Sequence, residues 1–141
     1  TKESISGGSW IKVEAQLEKL PLYLQLRDDL IVVHAGLRQD MIGEALSRRI
    51  ITFALYGEIT GRYHSDGRPV RGNWAKSYKG TPWIVYGHTP VETPYFKNNS
   101  VNIDTGCVFG GALTALRFPE MEICQVTSKQ DYQPDRFHHY D

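Results

Sequence analysis

The stretch WIVYGHTP (residues 83–90) joins an apolar run to an ionisable residue. Four consecutive apolar residues, Trp83 to Tyr86, are typical of a strand that is covered on both faces of a sheet. Gly87 and His88 follow at once, and Pro90 prevents further regular pairing because proline lacks a backbone N–H. The pattern predicts a buried strand that ends on a histidine.

Two other apolar segments end in a similar way. IVVHAG (31–36) runs into His34 and VNIDTG (101–106) runs into Asp104, each close to a glycine. In open α/β sheets, ligands bind outside the carboxyl ends of the strands. We therefore expect His34, His88 and Asp104 to converge on one site.

Two imidazoles and a carboxylate suit a transition-metal ion, although two histidines need further ligands to form a tight site. A structural alternative stays open for each residue. A histidine at a strand end is often a hydrogen-bonded structural group, and Asp104 with Thr105 and Gly106 also fits a turn.

Periodicity predicts the remaining elements. An amphipathic helix is expected at 10–20, where Pro21 ends it, and a second helix at 40–50, weakened by Gly43. Strands are expected at 22–26, 30–34, 83–87 and 100–106, followed by a hairpin of 112–118 and 122–126. The Gly- and charge-rich residues 57–72 are expected to form a long surface loop, and residues 73–78 are expected to form a short helix. The apolar runs at 30–33, 83–86 and 112–118 are interpreted as central strands.

Length and composition indicate a globular protein of about one domain, and the strand pattern above is that of an α/β fold. The 141 residues carry sixteen basic and sixteen acidic side chains, so no global basic field favours nucleic acid. The apolar runs are shorter than the roughly 20 residues that cross a bilayer, so no membrane partner is expected. Cys107 and Cys124 form neither a disulfide framework nor a zinc knuckle, which favours the cytoplasm. The polar start has no signal peptide, and the missing initiator Met indicates a partial chain.

Four segments together resemble the calcineurin-like metallophosphoesterases: VVHAGL (32–37), LYGEITG (55–61), VYGHTPV (85–91) and NIDTGCVFGGALTALRFPE (102–120). The resemblance extends from about residue 20 to residue 120. Within the family the pattern is similar to the PrpE-type asymmetrical bis(5′-nucleosyl)-tetraphosphatases. The phosphatase domain of bacterial polynucleotide kinase-phosphatase is also very similar.

The resemblance implies a β-sandwich flanked by helices and a centre of two divalent metal ions. Manganese is the expected metal, with iron, nickel or zinc as alternatives. A water that bridges the metals would hydrolyse phosphoanhydride or phosphomonoester bonds, above all those of dinucleoside polyphosphates. The ligands carried over from the H-A-G and G-H motifs are His34 and His88, both on the second metal.

The resemblance leaves the other site residues open. Asp104 is expected either to orient an imidazole or to act as a packing acid. Arg38, Arg62, Arg68 and Arg71 are candidates for binding a phosphorylated small molecule or nucleotide. For each arginine, an exposed ion pair is the structural alternative.

The chain also departs from the family. The first three motifs, D-x-H, G-D-x-x-D-R-G and G-N-H, are absent. We therefore expect residues 1–127 to be the C-terminal portion of a metallophosphoesterase domain and 128–141 to be a polar tail that frays. Such a chain would supply ligands mainly to one metal and would be inactive alone. Its expected partner is the missing N-terminal half or a second copy of the chain.

Two alternative functions remain at this point. The chain could be part of a phosphatase for nucleic-acid end repair, in which case nucleic acid is the substrate. It could also be a non-catalytic remnant that serves as a subunit or binding module.

Overall fold

The computed structural model describes residues 7–140. Its helices and strands are, in chain order, α1 (Gly7–Leu17), β1 (Tyr23–Arg27), β2 (Leu30–Val33), α2 (Arg48–Tyr56), β3 (Ile59–Tyr63), β4 (Pro69–Arg71), β5 (Trp83–Tyr86), β6 (Tyr95–Phe96), β7 (Ser100–Asn102), β8 (Ala112–Arg117) and β9 (Glu122–Thr127). Short 3-10 turns occupy Gln39–Met41, Trp74–Lys76, Cys107–Phe109 and Pro134–Arg136. No helix in this part of the chain is long and apolar enough to cross a membrane.

A five-stranded sheet in the order β1-β2-β5-β7-β6 forms the centre of the fold. Strands β2, β5 and β7 are parallel, whereas β1 and β6 pair antiparallel at the two edges. Ile31 of β2 and Ile84 of β5 are fully buried. The predictions that 30–33 and 83–86 are central strands are confirmed, and the carboxyl ends of the parallel strands share one edge.

The two faces of this sheet are covered differently. One face packs Ile31 and Ile84 against Ile50 of α2 and against Trp74. On the other face, Leu30, Val85 and Val101 contact Leu116 and Phe118 of the β8–β9 hairpin. The result is a helical layer, a central sheet and a two-stranded hairpin, which confirms a mixed α/β fold.

The hairpin side of the sheet is only partly covered. Leu24 and Leu26 of β1 are 48% and 57% exposed. Leu113 of β8 and its cross-strand partner Val126 of β9 are 64% and 65% exposed. The prediction that 112–118 is a central strand is wrong: within residues 7–140, β8 pairs only with β9, apart from a bridge between Gly106 and Ala112. Alternate side chains of β8 are exposed, as in a strand with one covered face.

Two further expectations from periodicity are wrong. Residues 40–50 do not form one helix: a 3-10 turn ends at Met41, Gly43 has a φ of 75°, and α2 begins only at Arg48. The side chain of Ser47 caps this helix by accepting a hydrogen bond from the Ile50 N–H at 3.3 Å. The expected loop at 57–72 is the antiparallel β3–β4 hairpin, although its residues are mostly exposed as predicted.

Part of the C-terminal segment packs against the rest of the chain, where the sequence predicted a polar tail that frays. Phe137 is only 8% exposed, and the N–H of His138 donates to the carbonyl of Pro90 at 2.7 Å. The ring of Tyr140 packs on that of Tyr95 with centroids 4.5 Å apart. Aromatic side chains spaced among polar residues anchor this segment to the loop that follows His88.

Candidate functional site

His34 and His88 lie side by side at the carboxyl ends of neighbouring parallel strands. His34 Nε2 is 2.9 Å from His88 Nδ1, and the two rings meet edge to face. The N–H of Gly87 donates to the carbonyl of His34 at 2.9 Å. This bond continues the pairing of β2 with β5 for one more residue and so holds the two histidines in register.

The backbone of His88 adopts a left-handed conformation with φ of 72°. For a residue other than glycine this conformation costs on the order of 1 kcal/mol, so the surrounding structure must enforce it. Gly87 before it and Pro90 after it stop the strand abruptly. Non-glycine residues in such conformations are concentrated at functional sites.

Asp104 shares one hollow with the two histidines. The hollow has a volume of about 320 Å³, and Val32, Val85 and Ile103 supply apolar walls. We call it the histidine hollow. The predicted convergence of His34, His88 and Asp104 is therefore observed.

Asp104 also makes a local turn. Its Oδ1 accepts the N–H of Gly106 at 3.1 Å, and within residues 7–140 no hydrogen bond joins it to either imidazole. A Cβ at Gly87 would lie 3.0 Å from the Asp104 Cβ, so the glycine allows this close approach. The turn and the position beside the histidines are compatible with each other.

The surroundings of His88 disfavour the charged form of its imidazole. Burial lowers the pKa of His88, and the neighbouring His34 and Arg71 lower it further. Asp104 acts in the opposite direction on the same pKa. A neutral imidazole has the free nitrogen lone pair that a metal ion requires.

The histidine pair fits a metal ion only as part of a larger ligand set. Two nitrogens about 2.1 Å from one ion and adjacent in an octahedral shell would be about 3 Å apart, which agrees with the observed separation. Within residues 7–140, however, no group of three or more His, Cys, Asp or Glu side chains is placed to hold a metal. The described residues therefore offer two nitrogen ligands.

The candidate arginines are separated. Arg38 lies 5.4 Å above the Phe53 ring, and its Nε is 3.4 Å from Asp40. It therefore makes an ion pair, which was the structural alternative to substrate binding. Arg62 is exposed on β3 and does not line the histidine hollow.

Arg71 is placed differently. It lines a cleft of about 340 Å³ between the β3–β4 hairpin and residues 135–139, whose wall includes Thr89. We call it the arginine cleft, and Arg68 and Arg136 line it too. Because Thr89 follows His88 directly, this cleft adjoins the histidine pair.

Tyr56 is a neighbour of the site that was not among the residues predicted from the sequence. Its ring centroid is 6.2 Å from that of His88, edge to face. The N–H of Ala35 donates to the carbonyl of Ala54 at 2.8 Å, which brings the end of α2 to the H-A-G segment. The sequence signal was the position of Tyr56 directly before a glycine, Gly57, and the structure shows that this glycine ends α2 with a φ of 70°.

Gly36 of the H-A-G segment is expected to tolerate no side chain. A Cβ there would lie 2.6 Å from Trp74 Nε1, which donates to the carbonyl of Ala35 at 3.2 Å. We expect Gly36→Ala to lower the free energy of unfolding by about 1–3 kcal/mol in urea titrations, because the core must shift. As a control, Glu44→Ala at an exposed position should change the free energy of unfolding by no more than about 0.5 kcal/mol. Equal stabilities of the two variants would contradict this account.

Comparisons with known proteins agree with the sequence resemblance. An asymmetrical bis(5′-nucleosyl)-tetraphosphatase PrpE from Bacillus cereus (strain Q1) is 60% identical over 121 residues, covering 85% of this chain and 49% of the relative. Its counterpart from Geobacillus sp. (strain WCH70) is 56% identical over 125 residues, covering 88% and 51%. The chain thus spans about half the length of these curated relatives. It matches no protein-family profile.

The fold has a counterpart among solved structures. The crystal structure of a candidate diadenosine tetraphosphatase superposes with a TM-score of 0.60 at 23% identity, covering 89% of this chain and 57% of that one. Because the identity is low, this similarity concerns the fold alone. The resemblance predicted from the histidine motifs is confirmed: over 85% of its length, this chain is closely similar to PrpE-type bis(5′-nucleosyl)-tetraphosphatases.

Proposed function

We propose that this chain is part of a metal-dependent hydrolase that cleaves phosphoanhydride bonds of dinucleoside polyphosphates. The observation that carries the proposal is the pair of imidazole nitrogens 2.9 Å apart at the carboxyl ends of β2 and β5. The relatives that share 56–60% of the matched residues are named for hydrolysis of bis(5′-nucleosyl) tetraphosphates. The free cysteines Cys107 and Cys124 suit the cytoplasm as its location.

In this proposal His34 and His88 bind one divalent cation, with manganese as the first candidate. A cation held there would polarise a phosphoryl oxygen and lower the pKa of a bound water. Asp104 is the charged neighbour of His88 in this proposal, and its carboxylate acts on the imidazole through space while its Oδ1 accepts the Gly106 N–H. Arg71, whose charge acts on His88, would neutralise negative charge on the substrate.

The remaining ligands must come from another segment. We propose that this segment corresponds to the half of the relatives that this chain does not match, or else belongs to a second copy. Val32 in the histidine hollow faces the same side of the sheet as its exposed cross-strand partner Leu24. A segment docked on this side would cover the apolar face and reach the histidines at the same time.

Metal titration tests the histidine pair directly. We expect the chain to bind Zn²⁺ or Mn²⁺, and His34→Ala or His88→Ala to weaken binding at least tenfold in calorimetry. His64→Ala, at an exposed histidine on the β3–β4 hairpin segment, is the matched control and should change little. Unchanged affinity in His88→Ala would overturn the proposed metal site.

The pH dependence of metal binding has a defined sign. Protons compete with the metal for imidazole nitrogen, so affinity falls as pH decreases. Because the pKa of His88 lies below its ordinary value of 6.5, His88 should lose its share of the affinity only below about pH 6.5. Affinity that rises as the solution becomes more acidic would contradict imidazole ligation.

A further inference from the structure

The arginine cleft has a positively charged lining. The charged groups of its wall are the guanidinium groups of Arg68, Arg71 and Arg136 and the carboxylate of Asp135. His64, His138 and His139 also line it. A larger cleft of about 790 Å³ adjoins it and shares Arg68, Asp135 and Arg136. Cationic side chains therefore outnumber anionic ones in a cleft that begins one residue from His88.

The three arginines differ in how far they are already neutralised. Arg68 is 2.6 Å from Asp66 and donates to the carbonyl of Asp135 at 2.7 Å, so it ties the hairpin to the C-terminal segment. Among residues 7–140, neither Arg71 nor Arg136 has a carboxylate within 4.0 Å. Arg136 lies over the Phe109 ring at 5.3 Å, which restricts its position. Arg71 and Arg136 are thus available to an external anion.

The walls of the cleft are held in place by contacts that do not involve a ligand. The N–H of His138 donates to the carbonyl of Pro90, two residues beyond His88. The buried Phe137 ring packs against Gly106, and a Cβ added to that glycine would lie only 2.5 Å from the ring. The arginine cleft is therefore fixed relative to the loop that carries the histidine.

We propose that the arginine cleft binds the phosphate groups of a polyphosphate chain that extends beyond the histidine pair. Guanidinium groups bind phosphate oxygens through paired charge-assisted hydrogen bonds. Thr89, the residue after His88, lines the same cleft as Arg71 and Arg136, so one extended anion can reach from beside the histidine pair to Arg136. The assignment of the substrate rests on the proposed function, whereas the anion site is testable without hydrolysis.

Calorimetric titration of the full chain with inorganic tripolyphosphate tests the site. A chelator in the buffer excludes metal-dependent binding. Low salt limits the screening of the charges. We expect Arg71→Gln and Arg136→Gln each to weaken tripolyphosphate binding about tenfold, because each removes one charged hydrogen-bonding partner of the phosphate chain. Arg62→Gln on the same hairpin, outside the cleft, should remain within about twofold. Circular dichroism and melting curves establish that all variants are folded.

The outcomes separate this site from the proposed activity. Retained tripolyphosphate binding in His88→Ala would support a site distinct from the metal ligands, even if no hydrolysis is ever observed. Unchanged affinity in both Arg71→Gln and Arg136→Gln would overturn the proposal. It would also be overturned if orthophosphate bound as tightly as tripolyphosphate, because a chain of phosphates would then have no advantage.

Discussion

No hydrolysis of bis(5′-nucleosyl) tetraphosphate is expected from the 141-residue chain alone, even with added Mn²⁺. Two imidazoles cannot assemble a two-metal centre, which clamps both the attacking and the leaving oxygen. Activity should emerge when the chain is joined to the part of the Bacillus cereus relative that it does not match. Release of nucleotide, followed by chromatography, measures both cases.

The joined protein provides the decisive controls. His88→Ala should lower its turnover by about 100-fold or more, since even outer-shell changes at metal sites cost up to that amount. Arg62→Gln should leave turnover nearly unchanged. Clear turnover by the chain alone, abolished in His88→Ala, would contradict the expectation and mean that other ligands, such as those of a second copy, complete the centre.

The isolated chain is also expected to associate rather than behave as a stable monomer. Leu24 and Leu26 form an exposed apolar strip on edge strand β1, and Leu113 and Val126 form a second one on a two-stranded hairpin. A hairpin alone is marginally stable, and unpaired edges favour intermolecular pairing. Light scattering should therefore detect dimers or larger species.

Single substitutions test which surface drives association. Leu24→Lys should shift the chain toward monomer, because a charge on the apolar strip opposes its burial. Tyr63→Lys, at an exposed aromatic residue on β3, is the matched control and should leave the association unchanged. A docked partner at 100 times its dissociation constant should stabilise the fold by about 2.7 kcal/mol. A monomer with a cooperative melt would show instead that these residues close their own core.

The sequence predicted the elements whose signal is local. The runs before His34 and His88 identify buried parallel strands, and the glycines beside them mark the points where the backbone turns. The position of α2 was missed because its start depends on the Ser47 cap, which competes with the apolar periodicity of the preceding residues. The arginine cleft was missed because it depends on Phe137 packing, a contact between segments far apart in sequence.

The left-handed backbone of His88 places stability and ligand chemistry in opposition at one position. Glycine, and to a lesser degree asparagine, adopts this conformation more readily, yet neither offers an imidazole nitrogen. A library of variants selected only for thermal resistance would thus be drawn toward replacing His88 and would discard the ligand. Engineering of this scaffold has to hold His88 fixed and seek compensating stability elsewhere.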